Sequence, residues 1–264
     1  MVTFCMDTAI SGRKVFFLYP PSVVQDELLW EVVRHEYEVY LVKDHQRARA
    51  LLARYPDSIL FVNIDAELRE PEWETYIRGI IESERYADVR VGILSYNTNE
   101  ELARKYLMDI GVSAGFIKLS LGLQESTNII LRALDANEAR GRRKYVRAKT
   151  DDPSSPATFN VEISGELKTG VIRDVSSVGM ACTFNEFVEL PERTYLRNIQ
   201  LKLRGRLTTV SGFVTGIRKD NQTVYVIMFD PRSNRDSRSR IQRFVHRYPQ
   251  QKVDREMAAM QVAR

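Results

Sequence analysis

Cysteine and histidine are scarce. The chain has two cysteines, Cys5 and Cys182, and three histidines, His35, His45 and His246, in 264 residues. Two isolated thiols build no disulfide framework, and no His or Cys spacing matches a zinc set, so we expect no bound metal. Long apolar runs are missing too. The longest, such as residues 15–19 and 225–229, fall far short of the roughly 20 residues that a bilayer-spanning helix needs. The N-terminus lacks the basic segment, apolar stretch and small-residue cleavage site of a secretory signal, which leads us to expect a cytoplasmic protein without membrane insertion. No Ser/His/Asp triad, metal cluster or glycine-rich phosphate loop occurs, so an enzyme is not expected.

Charge is present but unevenly spread. Residues 1–136 hold 15 Lys+Arg against 21 Asp+Glu, whereas residues 137–264 hold 24 against 14. The net +4 therefore combines an acidic first half with a strongly basic second half. Such a split suits a second half that meets an anion. A hydrophobic content of 44% with 28% charged residues is ordinary for a folded chain long enough for two cores.

In the first half apolar runs at 15–19, 37–42, 58–64, 89–95 and 114–118 read as strands, separated by stretches with helical periodicity. Ser22 with Gln25 and Thr98 with Glu101 read as capping boxes, Asp44 as a single cap, Pro71 as a helix start, and Gly111 and Gly141 as helix ends. Alternating strands and helices imply a parallel, doubly wound sheet of five strands. In element order and length this half resembles the receiver domain of two-component response regulators. Receivers carry acidic residues after the first strand to bind magnesium, and here those positions read Tyr19-Pro20-Pro21-Ser22. At the phosphoacceptor position stands Asn63, with Asp65 two residues later. Ser95 matches the hydroxyl after the fourth strand, and Lys118 lies near the lysine position. Without the acidic pair little would hold a divalent ion, so the domain reads as a degenerate receiver used for packing or partner contact.

Beyond residue 136 the pattern changes. Residues 137–156 read as a linker: Arg142, Arg143, Lys144 and Arg147 crowd its first part, and Asp151-Asp152-Pro153-Ser154-Ser155-Pro156 is turn-rich. Residues 157–163, 168–175, 180–184, 195–203, 207–217 and 223–229 then read as six strands, several alternating as Ile199-Gln200-Leu201-Lys202-Leu203 does, which favours an antiparallel barrel. Ile241, Phe244, Val245 and Tyr248 lie at i, i+3, i+4 and i+7, a helical stripe to pack on that barrel, with arginines on the other sides. The expected division is 1–136, linker 137–156, barrel and helix 157–250, and tail 251–264.

Two short motifs stand in this half. Arg143-Lys144-Tyr145-Val146-Arg147 gives RxxxR, and Asp174-Val175-Ser176-Ser177-Val178-Gly179 gives DxSxxG between apolar runs. In this order, ahead of strands and a terminal helix, they resemble the PilZ family over about residues 140–250. The doublet Arg142-Arg143 ahead of Arg147 fits the family's approach to RxxxR. The fold implied is a receiver-like (flavodoxin-like) α/β domain followed by an all-β PilZ barrel with a C-terminal helix.

The ligand implied is cyclic di-GMP, a compact ring with two phosphates and two guanines. A guanidinium forks onto guanine O6 and N7 or onto phosphate, and stacks on a base; lysine cannot reproduce the planar fork. The resemblance implies a site of Arg142, Arg143 and Arg147 closing from a linker over Asp174, Ser176 and Gly179. Asp174 would meet guanine donors or the arginines, Ser176 a phosphate or base, and Gly179 would permit a turn or a close ligand approach. A second-messenger receptor that rearranges its domains and regulates a protein partner in motility, surface behaviour or virulence follows. Two alternatives stay open: single-stranded nucleic-acid binding by the basic half, though no aromatic series interleaves with its charges, and phosphorylation at Asp65 with a PilZ output.

Overall fold

The computed structural model describes residues 12–22, 24–150, 156–219 and 222–260. Two compact units divide the chain: one holds residues up to Lys144 and again from Gln250, and the other is Tyr145–Pro249.

In the first unit β1 (Lys14–Leu18), β2 (Val39–Val42), β3 (Ser58–Asn63), β4 (Arg90–Ser95) and β5 (Phe116–Lys118) form a wholly parallel sheet in the order β2-β1-β3-β4-β5. This is the flavodoxin-like order shared by receivers. Each strand sends alternate side chains to opposite faces, and both faces are covered, which explains the unbroken apolar runs. Val15, Phe17, Ile59 and Phe61 pack with Val32 of α1 (Leu29–Arg34) and with Ile130 and Leu134 of α5 (Leu123–Ala136). Phe16, Leu18, Leu60 and Val62 pack on the other face with Leu51 and Leu52 of α2 (His45–Arg54) and with Trp73 and Ile77 of α3 (Glu70–Ile81). Tyr106, just beyond α4 (Glu100–Arg104), joins that second cluster.

Asp44 caps α2, accepting from the amides of Gln46 and Arg47 at 3.0 and 2.9 Å. Other ends depart from the sequence expectation. Asn99, not Thr98, caps α4, because its carbonyl oxygen reaches the amides of Glu101 and Leu102. No Ser22–Gln25 box forms; the Gln25 side chain donates instead to the Pro20 carbonyl at 2.6 Å. Helix α5 stops at Ala136 rather than at Gly141, with the Asn137 side-chain amide donating to the Ala133 carbonyl at 2.8 Å.

The last helix, α6 (Arg235–Ala259), runs on through residues expected to be a tail, with Pro249 inside it. Its residues from Gln250 belong to the first unit. There Val253 enters the α2/α3 core cluster. The Gln250 side chain accepts from the Leu41 amide at 2.7 Å and donates to the Leu41 carbonyl at 2.9 Å. It thus satisfies main-chain groups that edge strand β2 would otherwise leave unpaired.

The second unit is a closed antiparallel barrel. β7 (Thr158–Ile163), β8 (Glu166–Ser176), β9 (Gly179–Phe184), β10 (Tyr195–Leu203), β11 (Arg206–Lys219) and β12 (Thr223–Phe229) are ordered β8-β7-β10-β11-β12-β9, and β8–β9 pairing closes the ring. Ile172, Val175, Ile199, Leu201 and Ile227 fill it completely buried, and Ile241, Phe244, Val245 and Tyr248 of α6 complete the cluster, as their spacing demands. A short strand, β6 (Arg147–Lys149), lies in what the sequence assigns to a linker. It pairs with the last residues of β8, on the edge that β7 uses further back. The turn-rich connector at 151–155 lies outside the described residues, as does Cys5; Cys182 is a buried free thiol whose pKa burial raises to about 12.

Half-buried His246 of α6 gives the barrel a pH dependence. Burial, with Arg247 beside it, lowers its pKa from the ordinary 6.5 to about 4. Between those values the unfolded chain takes up a proton that the folded chain refuses, so stability falls as pH drops from 6.5 towards 4. The loss should reach roughly 2–3 kcal/mol. Denaturant unfolding at stepped pH is expected to show that slope in the unmodified protein and to lose it in His246→Gln, leaving only the carboxylate-linked decline at lower pH.

Candidate functional site

The site begins with a phase problem in β8. Under strict alternation Asp174 would share the core face with Ile172. Against β9, however, Ile172 pairs with Cys182 and Asp174 with Ala181, so Arg173 is an extra, bulged residue. The bulge resets the period: Ile172 and Val175 both enter the core at 0% exposure, and Asp174 and Ser176 turn to the opposite face.

Strand β6 then brings the arginine. Arg147 stands opposite Ser176, Ala148 opposite Val175, and Lys149 opposite Asp174. Ala148 is fully buried between two exposed neighbours, which fixes the face that Arg147 presents. Arg147 and Asp174 are diagonal neighbours on that face, within side-chain reach. Their Nη1 and Oδ1 atoms lie 3.4 Å apart, with the side chains 40% and 27% exposed. An ion pair this wet is worth less than about 1 kcal/mol, so an incoming anion can displace the carboxylate at little cost. Buried Thr150 moors the end of β6, its amide donating to the Arg173 carbonyl at 2.9 Å and its hydroxyl to the Ile172 carbonyl.

The β8–β9 turn is held by Ser176. Its hydroxyl accepts from the Val178 amide at 3.4 Å and donates to the Gly179 carbonyl at 3.1 Å, a side-chain-fastened turn. Ser176 therefore already has a structural task. So has Gly179, and it differs from the expectation: a Cβ there would lie 2.6 Å from the Ile227 carbonyl oxygen and 3.3 Å from the Met228 Cα. The glycine is needed because β12 passes so close.

The structure thus gathers Arg147, Asp174, Ser176 and Gly179 into one corner of the barrel. Arg142 and Arg143 precede β6 outside any helix or strand, on the other side of the unit boundary, exposed and without an ion pair among the described residues. Strand β6 escaped the sequence analysis because three residues carry no period. The bulge left no sequence signal either, since Arg173 and Asp174 are both polar.

The corresponding end of the parallel sheet is occupied by internal bonds. The Asn63 amide donates to the Tyr19 carbonyl at 2.8 Å, and Asp65 accepts from the Ser95 hydroxyl and the Tyr96 amide, both at 2.6 Å. Lys118 pairs with Glu100. Among the described residues no group of three His, Cys, Asp or Glu could hold a metal, and no helix is long and apolar enough to cross a membrane.

The PilZ domain model matches residues 141–247, and this stretch is a PilZ domain. Among curated proteins none matches the sequence. Among solved structures, the PilZ domain of YcgR from Escherichia coli with c-di-GMP is 17% identical, the overlap covering 44% of this chain and 97% of that one at a TM-score of 0.37. The K. pneumonia MrkH–c-di-GMP complex is 20% identical, with 45% of this chain and 57% of that one covered at a TM-score of 0.37. This chain therefore spans little more than half of MrkH. The signal receiver domain of an HD domain-containing protein from Pseudomonas fluorescens Pf-5 is 15% identical, with 48% and 97% covered at a TM-score of 0.39.

Gly179→Ala is expected to destabilise the barrel by about 1–3 kcal/mol, the usual penalty for forcing a methyl into a packed site. Denaturant midpoints measure it; the slope of the transition should not change.

Proposed function

We propose that the chain is a cyclic di-GMP receptor and not an enzyme, with Arg142, Arg143 and Arg147 clamping the nucleotide against Asp174, Ser176 and Gly179. The strongest support is the register that sets Arg147 opposite Ser176 and within ion-pair reach of Asp174 on the outer face, inside the PilZ match. Arg147 would exchange its weak carboxylate partner for a phosphate or a guanine edge. Asp174, relieved of that pair, would accept from guanine N–H donors. Ser176 and Gly179 would act first by shaping the turn and second by leaving room above it. Arg142 and Arg143, exposed on the segment ahead of β6, are free to order on binding.

A ligand that orders this segment acts at the point where the two units of the chain join in sequence. Its output would be a changed relation between the α/β unit and the barrel, read by a protein partner in motility, surface behaviour or virulence.

Calorimetric titration with cyclic di-GMP checks the site. Arg143→Ala and Arg147→Ala are each expected to cost about 1–3 kcal/mol of binding, the value of a bidentate guanidinium contact, and lysine at either position should not restore it. Unchanged affinity in both alanine variants would remove the assignment. Small-angle scattering with and without saturating ligand tests the output, and superimposable profiles would exclude rearrangement.

A further inference from the structure

The corner at Gly179 does not end at the motif. Following the register outward, Gly179 pairs with Met228 on β12, Met228 with Phe213 on β11, and Phe213 with Tyr195 on β10. Directly opposed residues of an antiparallel sheet point to the same face. One rung therefore runs Arg147, Ser176, Gly179, Met228, Phe213, Tyr195, and its last three side chains are 52%, 38% and 37% exposed. Single exposed apolar side chains are ordinary, but adjacent ones forming a patch call for an occupant. The outward positions of β11 on either side of Phe213 are Ser211 and Thr215, so Phe213 interrupts an otherwise polar stretch of that strand.

The patch is rigid. Phe213 and Tyr195 touch with ring centroids 4.6 Å apart. The Tyr195 hydroxyl donates to Oδ2 of Asp230 at 3.0 Å, and Asp230 is buried and bound by the Arg232 amide and guanidinium. The backbone beneath Met228 is clamped from both sides: a Cβ at Gly212 would meet the Met228 carbonyl oxygen at 2.4 Å, just as one at Gly179 would meet the β12 main chain.

We infer that Met228 and Phe213, braced by Tyr195, form a stacking floor for the face of a purine base held at the Gly179 corner. The inference rests on the receptor proposed above and adds what the motif does not supply. Arg147 and Asp174 offer hydrogen bonds to a base edge or a phosphate; Met228 and Phe213 offer an apolar and aromatic surface to a base face. Strands lie about 4.8 Å apart, so the floor starts one strand from Gly179 and reaches Phe213 at the second. Gly179, lacking a side chain, lets β12 close against β9 and so brings Met228 directly beside the corner. A cyclic dinucleotide carries two bases, so edge reading and face stacking can operate together.

Titration of the full-length chain with cyclic di-GMP tests this. Phe213→Ala and Met228→Ala are each expected to weaken binding by about 5- to 150-fold, the range found for removing a base-stacking side chain, with unfolding midpoints unchanged because neither side chain belongs to the core. Phe213→Trp should keep the affinity, and its added indole emission, measured against the background of Trp30 and Trp73, should be quenched at saturation. Unaltered affinity in both alanine variants, or indole emission indifferent to ligand, overturns the floor and leaves the receptor standing. Absence of binding by the unmodified protein overturns both.

Discussion

A strand has two faces and a period of two, so Ile172 and Val175 cannot both enter a core unless one extra residue separates them. Arg173 is that residue, and the barrel's candidate site depends on it. Without the bulge, either Val175 would leave the core or Asp174 would enter it unpaired, a burial that costs several kcal/mol. With it, Asp174 and Ser176 both leave the core face: the carboxylate meets Arg147 across the ladder, and the buried Ser176 hydroxyl fastens the turn. Core packing and site geometry are thus two results of one local irregularity.

The polar groups of the two units are held to different degrees. In the parallel sheet, Asn63, Asp65, Ser95 and Lys118 are occupied by short internal bonds. In the barrel the motif is only partly occupied. Ser176 is committed to its turn and Arg147 has a weak partner; ahead of the barrel, Arg142 and Arg143 have no ion pair among the described residues. The asymmetry matches the charge distribution, since the surplus of basic residues lies where the cations are least neutralised.

Much of the fold was legible because its signals are long. Strands buried on both faces read as unbroken apolar runs, and the Ile241–Tyr248 stripe has the helical period over two turns. Short signals failed. Thr98 and Asn99 are adjacent capping residues, and only geometry selects the second. Strand β6 is three residues long and exists because β8 offers an edge, a tertiary cause invisible locally. The motif was legible as a polar turn between apolar runs, but the task of Gly179 was not: its need comes from Ile227 and Met228, almost fifty positions away in sequence. The neighbours of Phe213 and Met228 likewise follow only from register.

The two glycines that flank β12 have a further consequence, for folding. Gly179 and Gly212 leave spaces beside Met228 that no Cβ can occupy without displacing the main chain. A slip by one residue of β9 or β11 past β12 would carry Met180, or Ser211 or Phe213, into those spaces. Mispaired barrels are therefore excluded sterically as well as by exposure of the wrong face. Three strands are thus held to one register at a single point.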